Sequence, residues 1–405
     1  MKRARTAIAA VVAARVAASA APAAAQDASA PEPEPEPSDW SLQLEAGSEY
    51  DSNVHRQERR EGEAVDIDGA PLVRLGVRHR LSWRRTGRER LTLASHGGLK
   101  LFTTDSGQTE NVAVLAADGT YEWNLPSRGA VLGLIGSYYD AIPYELSNHA
   151  DPLFYEHRFF RTGMGEASFT LLGSGGHRVS AVGGYRLFHY KPDPLLDWKG
   201  EHVGVIYQGT FWRGDPDRDD GAASVDVSAG YRVERRGYDD GARTSTCADE
   251  DSPATTCTGS TSLERADLNH SLALEAVYTG RRIYSARYEL QVNDSNSFGE
   301  TLVRQRLRLG FTTELFSDLY LTAEATALVY FYLDPLLVLR DDQTPTFVSI
   351  DEENRNSLSA HLSRPFGRSW ALEGRYAIYS NEFTNQELTF RRQTVYLGVV
   401  YRYDR

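Results

Sequence analysis

From residue 40 to the C-terminus, apolar and polar side chains alternate with a period of two. Trp40, Leu42, Leu44, Ala46 and Tyr50 fall on even positions, with Ser41, Gln43, Glu45 and Glu49 between them. Val73, Leu75, Val77, Leu81 and Trp83 alternate with Arg74, Arg78, Arg80 and Ser82. The longest stripe runs Leu319, Leu321, Ala323, Ala325, Ala327, Val329, Phe331. Successive side chains of a strand point to opposite faces, so each segment is a strand with one apolar face. No stretch of this region has a convincing 3.6-residue period. Sixteen strands are predicted, near residues 40–50, 72–83, 90–102, 111–123, 130–139, 158–172, 177–190, 200–213, 222–236, 265–278, 283–293, 301–315, 319–332, 356–363, 370–380 and 393–403. The fifth to seventh are the least regular. Arg161 falls on the apolar face there, and Gly133, Gly136, Gly163, Gly165, Gly183 and Gly184 blur the alternation.

The connections give the architecture. Those after the second, fourth, sixth, tenth, twelfth and fourteenth strands are short, and the one after the eighth, 214–221, is little longer. The others are mostly longer and more polar, including 51–71, 140–157, 237–264 and 333–355. An even strand number with short and long connections in alternation predicts an all-β, up-and-down antiparallel transmembrane barrel with both termini at the short-turn end. A soluble sandwich or propeller also has alternating strands, but no reason to gather its long loops at one end. Trp40 and Tyr50 are ten residues apart. At ~3.3 Å per residue and a tilt of ~40° that separates them by roughly 25 Å, the height of the apolar band of such a barrel. Trp83, Trp123, Phe211, Tyr278, Tyr284 and Trp370 would share the short-turn rim.

The N-terminus predicts export. Lys2, Arg3 and Arg5 precede an Ala-rich apolar run, and Ala23-Ala24-Ala25 supplies small residues for cleavage. Residues 1–25 therefore read as a signal peptide. Its removal takes away one Lys and three Arg, moving the net charge from −12 to −16. Residues 26–39 contain Pro31-Glu32-Pro33-Glu34-Pro35-Glu36-Pro37, a stiff solvated spacer. Residues 40–405 form the barrel. The acidic balance argues against nucleic acid as a partner. The only two cysteines, Cys247 and Cys257, match no zinc spacing, and export to an oxidising compartment would let them pair.

Two short stretches resemble known families. Tyr396-Leu397-Gly398-Val399-Val400-Tyr401-Arg402-Tyr403 is similar to the last-strand assembly signal of bacterial outer-membrane barrels, with Gly398, Tyr401 and Tyr403 at its defining positions. Two residues, Asp404 and Arg405, follow it where the signal ordinarily ends the chain. Tyr50-Asp51-Ser52-Asn53-Val54 resembles the opening of a family of bacterial outer-membrane β-barrel porins, and of the barrel part of surface lipoprotein assembly modifiers. The lipoprotein modifiers usually carry helical repeats ahead of the barrel, where this chain has the Pro-Glu spacer. The resemblance implies an outer-membrane barrel: a porin, or part of a secretion or polysaccharide-export apparatus. Its partners would be outer-membrane lipid and lipopolysaccharide, the barrel assembly machinery and a small solute. A homo-oligomer joined through the Gly-rich fifth to seventh strands is open.

Catalytic chemistry is weakly represented. His361-Leu362-Ser363 puts both polar side chains on the inward face, whereas a lipid-cleaving barrel needs them toward the bilayer. Asn269-His270-Ser271 sends His270 outward and Ser271 inward. Asp215-Pro216-Asp217-Arg218-Asp219-Asp220-Gly221 resembles a calcium loop, but its Gly is one place late and no Glu closes it. No metal or cofactor is expected. The inward faces are more informative. Arg74, Arg78, Arg80, Arg90 and Lys100 form a basic wall, Asp118 and Glu122 an acidic neighbour, and Arg304, Arg306 and Arg308 a second basic ladder. Such charges either filter solutes in a water-filled lumen or neutralise one another across strands. The expectation is a porin or export channel for small polar or anionic solutes or saccharides. The alternatives are an outer-membrane hydrolase and a structural barrel plugged by its long loops.

Overall fold

The computed structural model describes residues 39–55, 59–60, 67–85, 87–143, 159–191, 197–214, 223–245, 258–298, 300–316, 318–332, 356–380, 388–389 and 391–404. The signal-peptide region, nearly all of the spacer, the acidic loop at 215–221 and both cysteines lie outside them. The strands are β1 (Asp39–Asp51), β2 (Arg59–Arg60), β3 (Ala70–Arg85), β4 (Glu89–Phe102), β5 (Val112–Leu125), β6 (Ala130–Pro143), β7 (Phe159–Leu172), β8 (Arg178–Lys191), β9 (Trp198–Arg213), β10 (Ser224–Ser245), β11 (Thr258–Thr279), β12 (Arg282–Ser295), β13 (Leu302–Phe316), β14 (Leu319–Tyr332), β15 (Asn356–Phe366), β16 (Trp370–Ser380), β17 (Leu388–Thr389) and β18 (Arg391–Asp404). β2 and β17 pair only with each other, and the other sixteen form one closed antiparallel barrel. Every expected strand is present. The ring closes where β1 pairs with β18, from Ser41↔Asp404 to Asp51↔Thr394.

The short connections collect at one end because their residues can turn tightly. Among the described residues, every one with a positive φ sits there: Gly87, Gly129, Gly175, Gly176, Gly367 and one non-glycine, Asp318 at φ 64°. Glycine carries no Cβ penalty in that region, and Asp tolerates it better than most residues. Aromatic rings circle the same end. Trp40 packs edge-on to Tyr403 at 5.1 Å, Trp370 meets Tyr401 at 5.0 Å, and Tyr278, Tyr284 and Phe311 form a chain at 6.0 and 5.1 Å.

Between the ends, the outward face is apolar and exposed. Leu134, Val203, Val205, Leu358 and Leu397 are each more than half exposed. The irregular strands are explained by where their glycines face. Gly119, Gly136 and Gly165 are direct register partners across β5, β6 and β7 on the outward side, so the apolar stripe there consists partly of bare backbone. Arg161 does face outward, near the long-loop end, where it donates to Asp140 at 3.0 Å beside the Tyr138 hydroxyl.

The connection expected at 237–264 is mostly strand. β10 continues to Ser245 and β11 starts at Thr258, with register irregularities at Gly237–Gly241 and Gly241–Arg243. β9 pairs only as far as Trp198↔Tyr238 and β12 as far as Asp267↔Ser295; beyond them residues 296–298 hold the hairpin, the Phe298 amide donating to the Arg243 carbonyl at 2.9 Å and the Arg243 amide to Ser297 Oγ at 3.0 Å. Arg265 pins its base, lying over the Tyr238 ring at 4.1 Å and pairing with Asp267 at 2.6 Å and Glu300 at 3.3 Å. These polar, bulge-interrupted residues lack an apolar stripe because no apolar layer faces them.

Candidate functional site

The inner wall is the candidate site. Strand alternation places all ten basic and acidic residues singled out above on it, opposite in parity to the exposed apolar set. The structure separates them into groups with different surroundings. Arg74 and Lys100 are buried, each 5% exposed. Arg74 reaches Glu45 at 3.1 Å and Glu49 at 3.3 Å, and Lys100 reaches Glu49 at 3.2 Å. This part of the basic wall is neutralised by its neighbours. Arg78 and Arg80 remain exposed to the lumen. On the far side Arg304 and Arg306 are buried and Arg308 half-buried, with Arg306 3.9 Å from Glu289.

Ionic clusters that the residue pattern did not reveal span several strands. Glu166 on β7 lies 2.9 Å from His202 Nε2 on β9 and accepts from Arg232 on β10 at 2.7 Å. Glu234 joins Arg186 and Arg236, at 3.3 and 2.5 Å. Glu373 gathers His361, Arg375 and Arg402 at 3.2, 2.7 and 3.2 Å. Arg375 also bonds Glu45 at 2.9 Å, linking β16 to β1 across β18. The inward parity of these residues was available in the sequence, but nothing there matched them across strands.

The wall is not polar throughout. At the long-loop end Val112, Val114, Ala116, Tyr139, Ala141, Phe160, Phe188, Trp198 and Tyr238 form a buried apolar arc on the inner side of β5 to β10. Tyr139 stacks on Phe160 at 4.9 Å and Phe188 on Trp198 at 5.8 Å, and the Arg236 guanidinium lies 4.5 Å over the Trp198 ring. The lumen-lining residues singled out from the sequence were all charged, and this arc was not among them. Segments such as Val112–Ala116 are apolar on both faces, so they carry no parity signal.

The two resemblance segments meet at the closing seam. Asp51, with no exposed surface, accepts two hydrogen bonds from Arg392 Nε at 2.8 and 2.9 Å and another from Nη2. It also accepts from the Asn53 amide at 3.0 Å. The Asn53 side chain donates to the Arg391 carbonyl at 3.3 Å, and Ser52 Oγ accepts from the Gln393 amide at 2.8 Å. Val54 is buried beside Ala70, Leu72 and Phe102. Asp51, Ser52 and Asn53 thus fasten the first strand to the last, while Val54 packs against β3 and β4. Further along the seam Gly47 and Gly398 are register partners, and the Tyr396 ring lies flat over both, where a Cβ on either would collide with it. Gly398 therefore makes room for a ring; Tyr401 and Tyr403 face outward into the aromatic rim.

The hydrolase pairs are not assembled. His270 bonds the Tyr231 hydroxyl at 2.8 Å on the outward face, while Ser271 donates to the Arg232 carbonyl at 3.4 Å on the inward one. His361 is directed at Glu373, whose oxygens are shared with two arginines. Among the described residues no group of three or more His, Cys, Asp or Glu is gathered as a metal site.

No protein-family model matches the chain, and no curated protein matches it. Among solved structures it is similar to Salmonella typhi OmpF in complex with daunomycin, at 10% identity over 90% of this chain and 97% of that one, TM-score 0.44. It is also similar to CdiB from Acinetobacter baumannii, at 10% identity and TM-score 0.42 over 90% of this chain; the match spans only 60% of CdiB. OccAB3 from the same organism gives 10% identity, 91% and 99% coverage and TM-score 0.38. At such identities and scores these likenesses carry no argument here. The barrel stands on its own strand pairing.

Proposed function

We propose that the chain is an outer-membrane channel that passes small polar or anionic solutes or saccharides by diffusion. One observation carries this: a closed ring of sixteen strands exposes an apolar, aromatic-rimmed exterior and turns a charged wall inward. An apolar exterior of that size is costly in water and suits a bilayer, where a closed barrel leaves no backbone edge unpaired. The exposed Arg78 and Arg80 supply the lumen with positive charge, which favours anions. The long-loop end faces outward from the cell and the aromatic short-turn end faces the periplasm. Swelling of liposomes containing the purified barrel, in isotonic sugars of increasing size, tests the reading. Influx that falls with solute size supports it, and absence of swelling with the smallest sugar opposes it.

The buried aromatic arc favours a second reading, a barrel occluded at its mouth and opened by a partner of an export apparatus. Full-length protein that swells liposomes unaided would exclude that.

Replacing Tyr401 and Tyr403 together with alanine should reduce the amount of folded barrel in the outer membrane several-fold. The rings serve both as the terminal signal and as contacts with Trp370 and Trp40. Wild-type levels of heat-modifiable protein would contradict this. Cys247 and Cys257 lie in the segment whose base is closed by Ser245↔Thr258. In an oxidising space they should form a disulfide. A non-reduced digest should yield the linked peptides; labelling of both thiols would refute it.

A further inference from the structure

The inner wall has a gap in its layer of side chains. On β10 the inward residue Gly230 pairs with Ile206 on β9 and Ala273 on β11, and Gly204 lies one inward position away beside Arg232. Two glycines, an alanine and an isoleucine thus make a shallow apolar floor between inward rows that are mostly polar. The next inward row toward the long-loop end is Arg232, Ser271, Gln291 and Arg304; the row toward the short turns is Ser228, Glu275 and Arg287, with Arg308 beyond. The resulting recess opens on the lumen and has a cavity volume of about 140 Å3.

The rim is held in place by its own contacts. Arg287 bonds Glu275 at 3.4 Å and Glu289 at 2.7 Å, Gln291 donates to Asn269 at 2.9 Å, and Arg232 is anchored on Glu166 at 2.7 Å. A guanidinium has five N–H donors and a carboxylate about four acceptor sites, so each retains hydrogen-bonding capacity after one or two such contacts. Five arginines line the recess against three glutamates, and counting Glu166 behind Arg232 leaves one positive charge in excess.

We propose that this recess is a binding station for a sugar acid: a pyranose-sized, hydroxyl-rich body carrying one carboxylate. The proposal rests on the channel reading and names the solute class for it. The apolar floor takes the C–H face of the ring, glutamate and glutamine side chains meet the hydroxyls, and the excess guanidinium charge receives the carboxylate, for which its planar fork is matched. A neutral sugar satisfies the rim hydroxyl contacts but leaves the charge unanswered.

Isothermal titration calorimetry of the folded full-length barrel in detergent, with sodium glucuronate and with glucose as titrants, tests this independently of conduction. Glucuronate should give saturable heat and bind at least about tenfold tighter than glucose, the scale of a charge-assisted hydrogen bond. Gly230→Leu and Ala273→Leu, from adjacent strands, each fill the floor and should weaken glucuronate about tenfold or more. A Cβ at Gly230 meets Ile206 at an ordinary 3.7 Å, so the wall tolerates a side chain there. Absence of saturable heat in the wild type, equal affinity for the two sugars, or unchanged affinity in a folded filled variant would each overturn the proposal. A barrel that conducts but does not bind glucuronate keeps the channel reading and loses this one; a barrel that binds but does not conduct does the reverse.

Discussion

Replacing Arg392 with methionine should destabilise the barrel by about 3–5 kcal/mol, the cost of leaving one member of a buried ion pair unpaired. Asp51 and Arg392 are 0% and 2% exposed, so water cannot replace the lost partner. The pair also sits on the one seam that local chain connectivity does not enforce, joining residues 341 positions apart. Urea unfolding in detergent, followed by loss of heat-modifiable mobility, measures the effect. Replacing Asp51 with leucine as well should recover most of the loss, because no buried charge then remains. Recovery would be incomplete, since the Asn53 amide also loses its acceptor. A single variant as stable as wild type would show that the segment from Tyr50 to Val54 does not fasten the seam.

The second large effect separates residues that look alike in the sequence. Arg78→Glu with Arg80→Glu should shift ion selectivity toward cations while the barrel folds normally, because both side chains are exposed. The double change removes two positive charges and adds two negative ones, a net shift of four units. At 10 Å in water each unit is worth about 0.4 kcal/mol. After salt screening, the permeability ratio should still move several-fold. Arg74→Glu should instead abolish folded barrel, since it sets a third carboxylate against Glu45 and Glu49 and leaves Arg375 and Lys100 to face all three. An unchanged reversal potential in the Arg78/Arg80 variant would remove these residues from the ion path.

The contrast between Arg74 and Arg78 marks how far the sequence could be read. Period-two alternation was enough for all sixteen strands, and the lengths of the connections for the end at which the turns are tight. It could not say which inward charges are buried and which are exposed, because Glu45, Arg74 and Arg375 come from β1, β3 and β16 and meet only when the ring closes. It also failed where both faces share one character. Val112–Ala116 is apolar on both sides, and the extension of β10 and β11 beyond Gly237 is polar on both. The glycines at 136, 163, 165 and 183 blurred three strands by facing outward, where a bare backbone interrupts the apolar stripe. The recess around Gly230 is the same signal on the opposite face. A glycine on a charged inward row marks a gap, but only the register shows that Gly204 and Ala273 widen it.

The central claim is that the charged interior is a path for solutes. Single-channel recording of the purified full-length barrel in a planar lipid bilayer tests it most directly. The account predicts discrete insertion steps of uniform, ohmic conductance, with a reversal potential in a salt gradient that favours anions. Folded, heat-modifiable barrel that inserts without producing any conductance step would contradict it.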